Sequence, residues 1–306
     1  MSEDAMTKSA ELSYAMRTGA LGRRLRLGWY YLIANPNLLI GMVLLLVLVA
    51  FSLGGQIFWD TRLAYPLSAP VAQPPMPGHP FGTDTAGRDL LAVMILGTVL
   101  TMKVGLIAGA IGVAIGTLLA FAAGFYGGWV DRIVRTVVDI VLTVPGLLVL
   151  IILASTLQGI ISSTSMALVI AALAWREPTR QIRSQVLVMR EAEYVKMARM
   201  SGSRGWQIIL FDMIPNLLPY LGATLVAAVA GAVLASVGLE ALGLGPRQEP
   251  TLGMTVYWMM TESAFVRGLW WWIIEPLIVL IILFVGMYLV SIGLDEFANP
   301  RLRKRT

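Results

Sequence analysis

The sequence predicts an all-α, polytopic transmembrane bundle of six spans, and three observations predict it. Of 306 residues, 57% are apolar and only 13% charged, with a mean hydropathy of +0.76, far above soluble-protein values. Apolar runs recur at lengths of about 20 residues, enough to cross a hydrocarbon core. Basic residues gather between those runs, the pattern that reports orientation in a membrane and not nucleic-acid binding. The absence of cysteine and a single histidine, His79, leave no material for disulfides, thiolate metal sites or a histidine metal cluster.

The first run, 37–55, follows Arg23, Arg24 and Arg26. It has the charge order of a signal peptide but is longer and lacks a small-residue cleavage site, so it reads as a retained anchor behind an N-terminal tail, 1–36. The 56–96 connection contains LAYPLSAPVAQPPMPGHP, whose prolines favour extended, semi-rigid chain. Runs 97–125 and 133–157 follow. Lys103 can snorkel to the interface, and Asp139 sits one turn after Arg135, its natural ion-pair partner. Run 164–186 is interrupted by Arg176, Glu177, Pro178 and Arg180, so its lipid-embedded part is expected to end near Trp175. Runs 215–242 and 272–294 complete the set, with Pro215 opening the fifth at a helix N-terminus.

The N-terminal tail, Arg132 with Arg135, the 176–204 segment and the closing RLRKR hold 18 of the 23 Lys and Arg. With six spans they all fall on one side, which is the cytoplasm, and both termini with them. The 56–96 loop, a short link near Gly159 and the 243–271 loop then face the other side.

One cytoplasmic connection, 187–214, is polar enough to stand in water. Its EYVKMARMSGSRGWQIILFDMIP places Tyr194, Met197, Ala198 and Ser201 on one helical face, with Arg190, Glu193, Lys196 and Arg199 on the remainder. Gly202 breaks that helix, SGSRG reads as a turn, and Trp206, Ile209, Leu210 and Met213 form a second apolar stripe. Periodicity alone leaves two readings open: an amphipathic pair lying on the bilayer, or a lever presented to a partner.

Spacing adds to this. The segment resembles the cytoplasmic loop of ATP-binding-cassette (ABC) importer permeases, Glu-Ala-Ala, three residues, Gly, nine residues, Ile-x-Leu-Pro. Ala198, Gly202, Ile214 and Pro215 match, while Lys196, Met197 and Asp212 replace the Glu, the first Ala and the Ile. The form found in the peptide and nickel branch is closer: Arg190, Glu191, Glu193, Tyr194, Val195, Ala198, Arg199 and Gly202 fit Arg-Glu-x-Glu-Tyr-Val-x-x-Ala-Arg-x-x-Gly. HPFGTDTAGRDLLAVMILG is similar to that branch's segment before its second span. Asp139 and Pro145 reproduce its Asp and Pro in the third, and Leu242 to Gly245 its Leu-Gly-Leu-Gly.

The resemblance covers the chain from about Pro36 onward and implies the fold of a type I importer permease. It implies that Glu193, Tyr194, Lys196, Met197, Ala198, Arg199, Gly202 and Arg204 couple the chain to an ATPase. A short helix with small residues allows close approach, with apolar anchors at its centre and charges at its rim. A phosphate-cradling loop needs Gly before Lys, but Lys8, Lys103, Lys196 and Lys304 follow Thr, Met, Val and Arg. No ATP site is therefore expected here, and ATP and Mg belong to partners. The implied assembly is a second, related permease, two ATPase subunits and an extracytoplasmic solute-binding protein, in the inner membrane of a prokaryote.

Charges within spans are candidates for function, because lipid penalises them unless they face a cavity or partner. Glu240, near the outer end of run five, and Glu275, at the start of run six, are expected at the mouth of the path. Trp270 to Trp272, with Tyr257 and Trp258 nearby, form an interfacial belt, or offer at Trp271 a stacking platform for a sugar or peptide. His79 is expected as a hydrogen-bonding structural residue. The expected solute is a di- or oligopeptide, with oligosaccharides and nickel chelates as alternatives. A passive channel would have no use for a coupling loop, and an intramembrane enzyme would need a catalytic pair that the spans lack.

Overall fold

Asn35 starts the first described helix, α1 (Pro36–Phe58): its side-chain oxygen accepts the Leu38 N–H at 3.2 Å, and Pro36 sits in the first turn, where a missing N–H leaves nothing unpaired. The computed structural model describes residues 35–157 and 161–298. The expected N-terminal tail up to residue 34, the link around Gly159 and the closing RLRKR lie outside the described residues. α1 packs along the last helix, α10 (Trp270–Ala298), through small residues. A Cβ on Gly41 would meet Val290 N at 2.7 Å and Gly286 O at 2.8 Å, so the two backbones touch.

The axis of the fold is α2 (Leu90–Tyr126), 37 residues and about 55 Å long at 1.5 Å per residue. Asp89 caps it by accepting the Ala92 N–H at 2.8 Å, and Gly127, at φ +70°, ends it. We call its start the upper end of the molecule and its finish the lower end.

The third run is not one straight span. α3 (Gly128–Thr143) and α4 (Gly146–Thr156) meet at 79°, with Val144 extended and Pro145 between them; proline cannot donate to the helix ladder and clashes with the preceding turn. The fourth run divides near Trp175, as its charges predict, into α5 (Ser163–Ala174) and α6 (Arg176–Arg190). Both still follow one track beside α2. Gly112 lies against Ala174, Gly116 against Pro178 and Gly124 against Val186, a constant offset that makes α5 and α6 parallel to α2.

After α7 (Glu193–Met200) the chain turns into α8 (Gly205–Ala241), a single 37-residue helix that contains a π-helical stretch, Ile208–Met213. Pro215 therefore lies inside a continuous helix and does not open one, a correction to the expected second short helix. α8 runs antiparallel to α2, with Val229 and Val233 closing on Gly105 and Val229 on Gly109. A further helix, α9 (Leu252–Thr261), lies at the upper end within what the sequence presents as a loop.

Among the described residues, four helices are long and apolar enough to cross a membrane, or five if the bent pair is one span, and α5 is a shorter apolar helix. No strand occurs among them, only two isolated bridges. The proline-rich connection is not extended chain. Residues 59–89 fold back on themselves through a 3-10 turn, Thr61–Ala64, and the backbone bonds Leu67 N to Ala86 O (2.9 Å), Ala72 N to Asp84 O (2.8 Å) and Thr83 N to Gln73 O (2.9 Å).

Candidate coupling site and substrate path

At the lower end α7 stands on one buried side chain. Val195 is fully enclosed and belongs to one apolar cluster with Phe121, Ile182, Val186, Ile208 and Met213, which come from α2, α6 and α8. Ala198 is half-buried beside it, on the inner face, not on an outer face with Tyr194 and Met197 as periodicity suggested. Tyr194, Met197 and Met200 are 39%, 63% and 81% exposed. Glu193, Lys196, Arg199 and Arg204 are exposed around them. Arg199 rests its guanidinium 5.0 Å from the Phe125 ring centre, and Lys196 approaches Glu191 at 4.0 Å.

Gly202 closes α7 at φ +82°. The Ser203 N–H bonds back to Ala198 O at 3.1 Å and the Ser201 N–H to Met197 O at 2.9 Å, so the last carbonyls are satisfied through a left-handed residue. A Cβ at Gly202 would meet no atom within 4 Å, so within this chain the glycine answers to backbone conformation and not to close packing. The Arg204 N–H is accepted by Gln207 Oε1 at 2.9 Å, which starts α8. Val195 was missed as a contact residue, although the spacing of Val195 and Ala198, three apart, was the available signal.

One ion pair joins two helices above α7, and a second lies within α3. Arg183 of α6 grips Asp131 of α3 with Nε and Nη2 at 2.5 and 2.6 Å, a bidentate pairing. The expected Arg135–Asp139 pair is present at 3.6 Å and largely exposed. Arg190 donates to the Gly124 carbonyl at 3.1 Å, tying α6 to the last turn of α2.

Between α4, α5–α6 and α8 lies a cavity of about 190 Å³. α8 presents it with a smooth wall that includes Ala228, Gly231 and Ala235, while Arg176, Glu177, Gln181 and Thr224 place polar groups toward its lower part.

The structure does not bring Glu240 or Trp271 to this cavity. Glu240 is fully enclosed: Oε1 accepts the Ser236 hydroxyl at 2.7 Å and Oε2 the Thr251 hydroxyl at 2.6 Å. The Thr251 oxygen in turn accepts the Met254 N–H at 3.2 Å, capping α9, so Glu240 fastens α9 to the end of α8. Trp271 is 7% exposed and donates its indole N–H to Thr83 O at 3.2 Å; its ring covers Gly82 and is not free to stack on a solute. Expected at the path, both are in this structure buried fasteners of the upper end. Glu275 is half-buried on α10, with Oε2 enclosed and unpartnered.

Asp89 is also fully enclosed. Asp89 accepts from Trp59 Nε1 at 3.1 Å as well as from its own helix, and His79 Nδ1 lies 2.6 Å from its other oxygen, the structural role expected of His79. Lys103 reaches the Thr164 hydroxyl at 2.9 Å.

Residues 112–304 match the model of a family described as binding-protein-dependent transport system inner membrane component. The chain is 29% identical over 233 residues to an oligopeptide transport system permease protein of Mycobacterium tuberculosis, covering 76% of this chain and 79% of that one. It is 26% identical over 284 residues to a dipeptide transport system permease protein of Haemophilus influenzae, covering 90% and 94%. In fold it resembles a chain of the inward-facing MetNI methionine ABC transporter, with a TM-score of 0.53 at 18% identity over 69% of this chain and 97% of that one.

Proposed function

The chain belongs to the family of binding-protein-dependent transport system inner membrane components, and from that premise we propose that it forms half of the translocation path of an ATP-driven importer of di- or oligopeptides. The named activities of its relatives support the solute class. In this reading the membrane domain, 37–306, crosses six times: α1, α2, the bent α3–α4 pair, α5 with the start of α6, α8 and α10. Both termini, the 1–36 tail and the coupling segment, 187–214, lie in the cytoplasm, and the folded 56–96 loop faces outward to meet a solute-binding protein. A second, related permease completes the path, two ATPase subunits dock at α7, and these partners hold the ATP and Mg.

The observation that carries the proposal is the construction of α7. Its root, Val195, is buried against three membrane helices while Tyr194, Met197 and Met200 stand exposed. A rigid rod seated in the bundle, with an apolar tip turned outward, transmits a push; a helix lying on the bilayer would have no reason to anchor itself among the ends of α2, α6 and α8. The cavity faced by the Ala and Gly wall of α8 is assigned to the path, since a permissive wall suits a solute selected elsewhere. The oligosaccharide alternative relied on Trp271 as a platform and loses that support with the burial of its ring.

Co-purification with the ATPase subunits tests this. Met197→Asp with Met200→Asp should leave membrane insertion intact and abolish ATPase retention. Full retention by the double variant, or solute flux through the purified assembly without nucleotide, would defeat the proposal, the second in favour of a passive channel. Competition between labelled tripeptides and gluco-oligosaccharides in the reconstituted assembly tests the solute: uptake of sugars alone would refute the peptide assignment.

A further inference from the structure

The upper end contains a cavity that neither the coupling segment nor the path uses. It measures about 270 Å³ and lies between the turn at Tyr65 and Pro66, the Arg88 side chain and the Arg247–Pro250 turn. We propose that this cavity binds an oxyanion, a carboxylate or a phosphate group, through the guanidinium groups of Arg88 and Arg247.

Arg88 supplies the main observation. Its side chain is 12% exposed, and its Nε is enclosed without any hydrogen-bond partner. The nearest carboxylate oxygen, Asp84 Oδ2, is 3.9 Å from that nitrogen, too far for a hydrogen bond. The other oxygen of Asp84 is occupied, accepting the backbone N–H groups of Ala86 at 2.9 Å and Arg88 at 2.8 Å. Beneath the guanidinium lies the Trp258 ring, 5.6 Å to its centre, which stabilises the charge from one face while Nε is left without an acceptor.

The rest of the lining does not satisfy that donor. Glu249 is the cavity's own acid, but both its oxygens accept the Ser163 N–H, at 3.1 and 3.2 Å, which turns the carboxylate toward the start of α5. Arg247 is exposed and makes no ion pair among the described residues. The neighbouring Glu262 is engaged by Arg267 at 3.6 Å. Two guanidinium groups thus share a cavity whose single acid is already held elsewhere. A planar fork of N–H donors is the group best matched to two oxygens of a carboxylate or phosphate.

Two sources present such a group at the upper end: the terminal carboxylate of a transported peptide, which rests on the proposed solute, and the phosphate of a phospholipid headgroup, which does not. Binding of dioctanoyl phosphatidylglycerol, and of a tripeptide as free acid and as C-terminal amide, is measured by calorimetry on the assembled transporter in neutral detergent. Wild type, Arg88→Gln, Arg247→Gln and, as an exposed control, Arg267→Gln are compared.

One ligand should bind and weaken tenfold or more in Arg88→Gln and Arg247→Gln, with Arg267→Gln unchanged. Binding of phosphatidylglycerol assigns the lipid; binding of the free acid but not the amide assigns the solute. The inference is overturned if neither ligand binds, or if binding is indifferent to Arg247→Gln, whose exposed side chain can be replaced without unfolding the loop that holds Arg88. Uptake measured in parallel separates the two ideas: a transporter that imports tripeptides but binds no oxyanion here refutes only the site, and one that imports no peptide refutes the solute assignment.

Discussion

At the upper end Asp89 is fully enclosed and accepts from Trp59, Ala92 and His79, and Glu240 is held by two hydroxyls. At the lower end Met197 and Met200 of α7 are 63% and 81% exposed, with Phe211 and Val188 at 69% and 72%. The first end hides charge inside a hydrogen-bonded loop; the second shows grease around a single buried valine. A buried polar network is stabilising only when complete, and around Asp89 and Glu240 the partners are supplied within this chain. Under the proposed topology the lower end stands outside lipid, where exposed apolar surface marks an interface for a partner.

That contrast can be broken most forcefully at Asp89. Asp89→Ala removes a helix cap and strands the N–H of half-buried Trp59, and should destabilise the assembly by about 3 kcal/mol, seen as a large fall in melting temperature; a fall of a degree or less would mean that the network is ornamental. Gly202→Val comes next. A β-branched residue at φ +82° should cost about 1–2 kcal/mol locally, distort α7 and reduce transport at normal expression. Wild-type uptake by that variant would remove the lever from the account.

Met197→Ala with Met200→Ala sharpens the comparison, because it should leave the fold within about 0.5 kcal/mol of wild type yet weaken ATPase binding about tenfold, roughly 1.4 kcal/mol. Equal losses in melting temperature and in binding would show these side chains to be part of the fold after all. The smallest effect is expected at Asp139→Ala. Its pair with Arg135 is exposed on both sides, so melting should shift by less than about 0.5 kcal/mol, and a larger shift would assign Asp139 a role beyond that pair.

What the sequence determined by itself is local or linear. The apolar runs, the division near Trp175 and the break after Met200 were all legible, because each depends on composition or on residues a few positions apart. The caps of Asn35 on Leu38, Asp89 on Ala92 and Ser162 on Ser165 are likewise three-residue interactions. The residue pattern 190–202 pointed to the family, since a contiguous segment keeps its spacing without knowledge of the fold.

Only the tertiary structure decided which way side chains point within uniformly apolar helices. α2, α8 and α10 are apolar on every side, so periodicity cannot mark a buried face when lipid and protein interior are alike to a leucine. Glu240 and Trp271 therefore read as openings to a path until the chain brought Thr251 to one and Thr83, 188 positions away, to the other. Val195 became the root of α7 only when α2, α6 and α8 converged on it. The 79° break at Pro145 and the fusion of Gly205–Ala241 across Pro215 show the same dependence in the backbone: a proline permits a bend, and packing decides whether it is taken.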